Sequence, residues 1–178
     1  SSVVRCSAQG NTGNGFDTGD GCSVIECTAR SNTDTGIKTG FGCTVSTCTA
    51  SSNTGGSSDG INATGGSTVT GCTVYGNGND GIRVWNGCTV AGCTARGNGG
   101  DGINAGENWG STVTGCSAYL NNGNGITITK GTVRACTTRQ NDGDGILADD
   151  SLVHGNSSTG NVGTPINATL STVIDNHT

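Results

Sequence analysis

Val69-Thr70-Gly71-Cys72-Thr73-Val74-Tyr75-Gly76-Asn77-Gly78-Asn79-Asp80-Gly81-Ile82-Arg83-Val84 is one copy of a pattern that returns along almost the whole chain. A Val followed three residues later by Cys recurs as Val3/Cys6, Val24/Cys27, Val45/Cys48, Val69/Cys72, Val90/Cys93, Val113/Cys116 and Val133/Cys136. Two further copies, Val153/Asn156 and Val173/Asn176, carry Asn instead of Cys. Successive Val anchors lie 21, 21, 24, 21, 23, 20, 20 and 20 residues apart, a period that belongs to solenoids. Five residues beyond the Cys position stands Asn, as Asn11, Asn32, Asn53, Asn77, Asn98, Asn121, Asn141 and Asn161. A large apolar residue follows, usually after Gly: Phe16, Ile37, Ile61, Ile82, Ile103, Ile126, Ile146 and Ile166.

Each unit therefore holds three short alternating runs separated by Gly/Asn/Asp turns, which leaves no room for a helix. Period-two alternation makes half-buried strands. Three strands and three bends close one coil, and coils stacked in register at ~4.8 Å build a rod on the order of 40 Å long. The expected fold is all-β, a single-stranded solenoid of eight to nine coils of 20–24 residues with three short strands each. It forms one domain over residues 1–178, with degenerate coils over 151–178.

The consensus Val-x-Gly-Cys-x-Ala-x-x-Asn-x-x-Asp-Gly-Ile resembles the right-handed parallel β-helix repeat of pectate-lyase-like enzymes, alginate-modifying enzymes and phage tailspikes. The resemblance covers nearly all of residues 1–178 and implies their fold. It does not by itself imply an activity, because one fold hosts many chemistries. In that family the position of the recurrent Cys is often Asn, stacked as an internal ladder, and here Asn156 and Asn176 keep it.

Composition fits a solenoid. Hydrophobic residues make up only 30% of the chain, and a narrow core needs no more. The 34 Gly recur in phase, as at Gly71, Gly92, Gly115 and Gly155, where a left-handed backbone favours Gly. Net charge is −5 with 12% charged residues and no basic run, which argues against nucleic acid as a partner. No apolar stretch approaches the roughly 20 residues of a membrane span, and no signal segment is visible. The chain starts at Ser1 directly in a coil, so it reads as a processed product or excised piece, with an uncapped N-terminal coil suited to end-to-end or edge association.

The ten Cys follow the repeat. Seven (Cys6, Cys27, Cys48, Cys72, Cys93, Cys116 and Cys136) occupy the anchor column, and Cys22, Cys43 and Cys88 share a second column with Ser67, Ser111, Gly131, Ser151 and Ser171. Stacked Cys place their Cβ atoms about one strand spacing apart, beyond the roughly 3.5–4.5 Å of a disulfide. They are expected to be buried free thiols packing as small hydrophobes, with little for a hydroxyl to pair with at Cys93. The second column is expected to select for small size. No Cys-x-x-Cys or His cluster points to zinc.

Four constellations could carry chemistry. Asp59, Asp80 and Asp101, with Asp144 beyond Asn124, stand just before Gly-Ile; they read as turn residues accepting backbone N–H bonds, with Ca²⁺ the alternative occupant. The outward row of the Ile strand reads Asp17, Lys38, Asn62, Arg83, Asn104, Thr127, Leu147, Asn167. The resemblance puts a substrate groove on this exterior, with Arg83 as the catalytic base beside a uronate and Asp80 and Asp101 beneath it. The longer motifs of those families, such as the Asp-Pro-His-Glu run of alginate epimerases, are missing.

Trp85 and Trp109 fall in the turns after the Ile strand on consecutive coils, the second within the longer stretch Gly106-Glu107-Asn108-Trp109-Gly110. Rings beside Asn and Arg suit stacking on sugars. Tyr75, Arg96, Tyr119 and Arg139 alternate as a cation–π ladder. Two Thr columns, Thr28/Thr49/Thr73/Thr94/Ser117/Thr137 and Thr44/Thr68/Thr89/Thr112/Thr132, fit exposed strands.

The favoured function is a non-catalytic β-helix module, extracellular or at a cell surface, without a cofactor. It presents a carbohydrate-binding or adhesive face at Asn62, Arg83, Trp85, Asn104, Glu107 and Trp109, with polysaccharide as its partner. The alternatives are a lyase- or epimerase-like enzyme acting on uronates with Ca²⁺, an ice-binding Thr-rich solenoid, and a structural scaffold.

Overall fold

The computed structural model describes residues 1–106 and 110–178. Every coil crosses three parallel sheets in turn. The Val sheet has nine strands among the described residues, from Ser2–Val4 to Thr172–Ile174. The Ala sheet has eight, from Ser7–Gln9 to Ser157–Thr159, and the Ile sheet eight, from Phe16–Thr18 to Ile166–Thr169. Each strand pairs with the one a coil away in the register that the repeat demands, as in Val45↔Val69↔Val90 and Ile61↔Ile82↔Ile103. The fold is a right-handed parallel β-helix of about eight coils, as expected, and the longer third and fifth units do not shift the register.

Most strands are only three residues long, so each sends one side chain inward on the Val and Ala sheets. The Val column from Val24 to Val153 and the Ile column from Ile37 to Ile146 are fully buried and form one continuous core with Ala29, Ala50, Val74, Ala95 and Ala118. Each fully buried Val or Ile stabilises the rod by about 1.5–3 kcal/mol.

Three bends close each coil, and all three use one device. A residue with positive φ turns the chain, and the next residue points inward to stack on its equivalent one coil away. At the Asn bend, Asn77 Oδ1 accepts the Asn53 backbone N–H at 3.2 Å and the Asn53 Nδ2 at 2.9 Å, and the pattern continues through Asn98, Asn121, Asn141 and Asn161. The Gly before Ile is required by this ladder rather than by its own φ. A Cβ on Gly60 would lie 2.6 Å from the Gly81 carbonyl oxygen and 2.7 Å from Asn77 Nδ2.

The buried thiols pack in the core as expected, and their columns are hydrogen-bonded ladders as well. Cys48 Sγ accepts the Cys27 N–H at 3.4 Å and donates to the carbonyls of Ser46 at 3.2 Å and Val24 at 3.3 Å. Asn156 Oδ1 continues that column by accepting the Cys136 N–H at 2.9 Å. In the second column Ser111 Oγ accepts the Cys88 N–H at 3.2 Å and donates to the Trp85 carbonyl at 2.9 Å. Hydrogen bonding, as well as size, explains why Ser and Cys alternate there. All ten Cys are free thiols; nine are buried, and Cys6 on the first coil is exposed.

Gly71, Gly92, Gly115 and Gly155 have positive φ as expected, but so do Arg5, Glu26, Thr47 and Ala135 at the equivalent bends. A left-handed L-residue costs ~1–2 kcal/mol, and the ladder bond following it holds the bend in place.

Candidate functional site

The outward row of the Ile sheet runs straight along the rod. Lys38, Asn62, Arg83, Asn104 and Thr127 pair in consecutive register, so their side chains leave the surface at intervals of one strand spacing, ~4.8 Å. Asn62, Arg83 and Asn104 are brought together as the sequence predicted. Trp85 extends the same side, because Val84 between it and Arg83 is fully buried. Glu107 and Trp109 lie outside the described residues.

Beneath this row the acidic column forms a fourth ladder, running opposite in sense to the Asn ladder. Asp59 Oδ1 accepts the Asp80 N–H at 3.2 Å, Asp80 Oδ1 accepts the Asp101 N–H at 2.8 Å, and Asp101 Oδ1 accepts the Asn124 N–H at 2.7 Å. Asn124 and Asp144 carry it on to Thr164. The second oxygen of each carboxylate ties down the outward row: Asp59 Oδ2 takes Asn62 Nδ2 at 2.8 Å, Asp80 Oδ2 takes Asn104 Nδ2 at 3.0 Å, and Asp101 Oδ2 takes the Thr127 hydroxyl at 2.7 Å.

Burial pushes the Asp80 carboxyl up to about 6, helped by the charges of Asp101 and Asp59 and opposed by the Asp101 N–H and Asn104 bonds. Burial also raises Asp59, against the hydrogen bonds of Asn62 and Asn79 and the positive charge of Arg83. These Asp residues therefore do the turn-residue work that the repetition suggested. Among the described residues no three His, Cys, Asp or Glu side chains group to hold a metal ion.

Where the Ile strand turns toward the Val sheet, Phe41, Thr64, Gly65, Trp85 and Asn86 line an open slot of about 270 Å³. Phe41 is 64% exposed and Trp85 38% exposed. Sequence reasoning selected Trp85 and missed Phe41. The available signal was position: Phe41 precedes Gly42 and a ladder residue just as Trp109 precedes Gly110 and Ser111.

The other expected surface features fall on separate faces. The first Thr column lies on the Ala sheet beside the aromatic–cationic row, where Arg96 stacks 5.5 Å from the Tyr75 ring centre and Arg139 5.0 Å from that of Tyr119. The second, Thr44 to Thr132, lies on the Val sheet. No helix among the described residues is long and apolar enough to cross a membrane.

Stacked parallel strands and internal ladders define a right-handed parallel β-helix. The chain belongs to the right-handed β-helix family, whose model, described as "Right handed beta helix region", matches residues 37–177. The A-module of the mannuronan C-5 epimerase AlgE4 of Azotobacter vinelandii is similar, with a TM-score of 0.86 at 16% identity over 99% of this chain and 59% of that one. The periplasmic alginate epimerase AlgG gives 0.81 at 16% identity over 92% of this chain and 46% of that one. Pectate lyase Pel9A gives 0.50 at 18% identity over 84% and 51%. The chain thus spans about half the length of these proteins, and at such identities the likeness establishes the fold. No curated protein sequence matches the chain.

Proposed function

We propose that this chain is a polysaccharide-binding β-helix module that holds an extended acidic glycan along the outside of the Ile sheet, outside the cytoplasm. The observation that carries this reading is the in-register row Lys38, Asn62, Arg83 and Asn104 with Trp85 beside it. Its cations and amides repeat along one axis, as a polymer's carboxylates and hydroxyls do, and the carboxylates below orient the amides of Asn62 and Asn104. Arg83 can fork onto a uronate carboxylate. The fold likeness to a mannuronan C-5 epimerase, an alginate epimerase and a pectate lyase supports uronate polymers as the class to test.

Binding, rather than catalysis, fits the acidic ladder best. Both oxygens of Asp80 accept hydrogen bonds within the rod, from Asp101 N–H and Asn104 Nδ2, so the group with the raised pKa does structural work. Titration of oligomannuronate and oligogalacturonate should show saturable binding that Arg83→Ala weakens at least tenfold; equal affinity in the variant would overturn the reading. The same polymers incubated with Ca²⁺ and followed by ultraviolet absorbance test the lyase alternative, and unsaturated product would replace binding with chemistry.

A further inference from the structure

We infer that the Phe41–Gly65–Trp85 slot is a subsite for the apolar face of one pyranose ring of the glycan that the Ile sheet holds. This deepens the polysaccharide-binding reading and rests on it for the direction of the chain.

Three coils build the slot. Phe41 comes from the second coil, Thr64 and Gly65 from the third, and Trp85 and Asn86 from the fourth. Two aromatic residues thus stand two strand spacings apart, about 10 Å, across a coil that has no side chain at the midpoint. Gly65 lets the Phe41 ring lie close over the third coil. A Cβ there would meet that ring at 3.4 Å and the Asn86 carbonyl at 3.1 Å, so a larger residue displaces the ring that walls the slot.

Size and surroundings select the occupant. At about 270 Å³ the slot lies below the usual ~300–1,000 Å³ of small-molecule sites, which suits one ring of a polymer whose remainder lies elsewhere. The slot surface is almost entirely apolar even though Thr64 and Asn86 help to line it, which matches the apolar C–H face of a pyranose ring. Protein interfaces bury about 1,200–2,000 Å², and this isolated pair of rings among Thr, Asn and Gly offers no patch of that extent.

Continuity with the polar row supplies the rest. Thr64 stands two residues after Asn62, and Trp85 two after Arg83, with the buried Ala63 and Val84 between. The slot therefore lies about 7 Å to the side of the row and runs parallel to it. One strand of sugar can place carboxylates or hydroxyls on Asn62 and Arg83 while one ring enters the slot.

The test titrates residues 1–178 with hexamannuronate and, separately, with neutral mannohexaose, reading heat and tryptophan fluorescence. Phe41 is exposed, so Phe41→Ala keeps the coil; Gly65 is not in the left-handed region, but Gly65→Val requires the Asn86 carbonyl 3.1 Å from its Cβ to give by a few tenths of an ångström. Circular dichroism confirms the coil for each variant. Stacking is indifferent to charge, so both variants should weaken both hexasaccharides about tenfold, whereas Arg83→Ala should weaken only the uronate.

If Phe41→Ala and Gly65→Val bind like the parent while Arg83→Ala fails, the slot is overturned and the polysaccharide reading stands. If the two slot variants lose affinity and Arg83→Ala does not, the slot stands and the role of the polar row falls. If neither sugar binds the parent, or if Phe41→Ala instead abolishes a concentration-dependent self-association, the sugar subsite is overturned.

Discussion

Ser67 Oγ accepts the backbone N–H of Cys43 at 3.0 Å and donates to the Gly40 carbonyl at 3.3 Å. One coil earlier Cys43 Sγ plays the same two-sided part, accepting the Cys22 N–H at 3.2 Å and donating to the Gly19 carbonyl at 3.2 Å. Thiol and hydroxyl are thus interchangeable rungs. Most of these bends carry a short inward side chain that takes an amide N–H left out of the sheets; Gly131 is the exception, where the Ile128 side chain crowds the space.

Cys88→Ser should therefore change stability by less than about 1 kcal/mol, since Ser already stands in this column on both neighbouring coils. Cys88→Ala, close to Ser in size, removes the acceptor that the Ser67 backbone uses, leaving a buried N–H unpaired at a cost of about 1–3 kcal/mol. Urea unfolding of the two variants separates hydrogen bonding from size.

Native protein should react with an alkylating reagent at one thiol, Cys6, and at all ten once unfolded. The nine other thiols are buried, and burial raises the Cys88 thiol above its ordinary range, so it does not supply the reactive thiolate. Intact mass after a short native pulse counts the sites. Prompt labelling of several thiols would show that the columns are open.

Asn98→Ala should cost at least about 2 kcal/mol, because Asn98 Oδ1 serves both the N–H of Asn77 and its Nδ2 in a dry interior. Asn11→Ala, at the exposed first rung, should cost a few tenths, in line with ordinary surface substitutions. Equal effects from the two would mean that the ladder is not cooperative with the core.

Asp80 makes stability depend on pH in a defined direction. Asp80 is 5% exposed, and burial pushes its carboxyl from 3.8 up to about 6 in the rod, so the folded state binds the proton more tightly. Its contribution is full below about 4 and is lost as pH rises through 6, a change of about 3 kcal/mol. Asp80→Asn should flatten this window, since Asn124 already serves as a rung in the same column, accepting the Asp144 N–H at 2.7 Å. Urea midpoints of parent and variant at pH 4 and pH 7 check it.

The in-phase return of Val, Cys, Asn and Ile was enough to read the coils, the three sheets, the buried columns and the outward row Asn62–Arg83–Asn104. In a solenoid each residue's neighbour is its own equivalent one repeat away, so register follows from periodicity. Even the turn role of Asp59 and Asp80 was legible, because a repeated Asp-Gly leaves few other partners for the carboxylate.

Two kinds of fact needed the tertiary structure. The first is the polarity of the small buried residues: one column of Cys looks the same whether it packs or bonds, and only the coil spacing brings the Cys27 N–H to Cys48 Sγ. The second is the slot. Phe41 and Trp85 stand in different columns, 44 positions apart by their residue numbers, and neither repeats. Periodicity is blind to such singular residues, and only the winding of three coils sets both rings around Gly65.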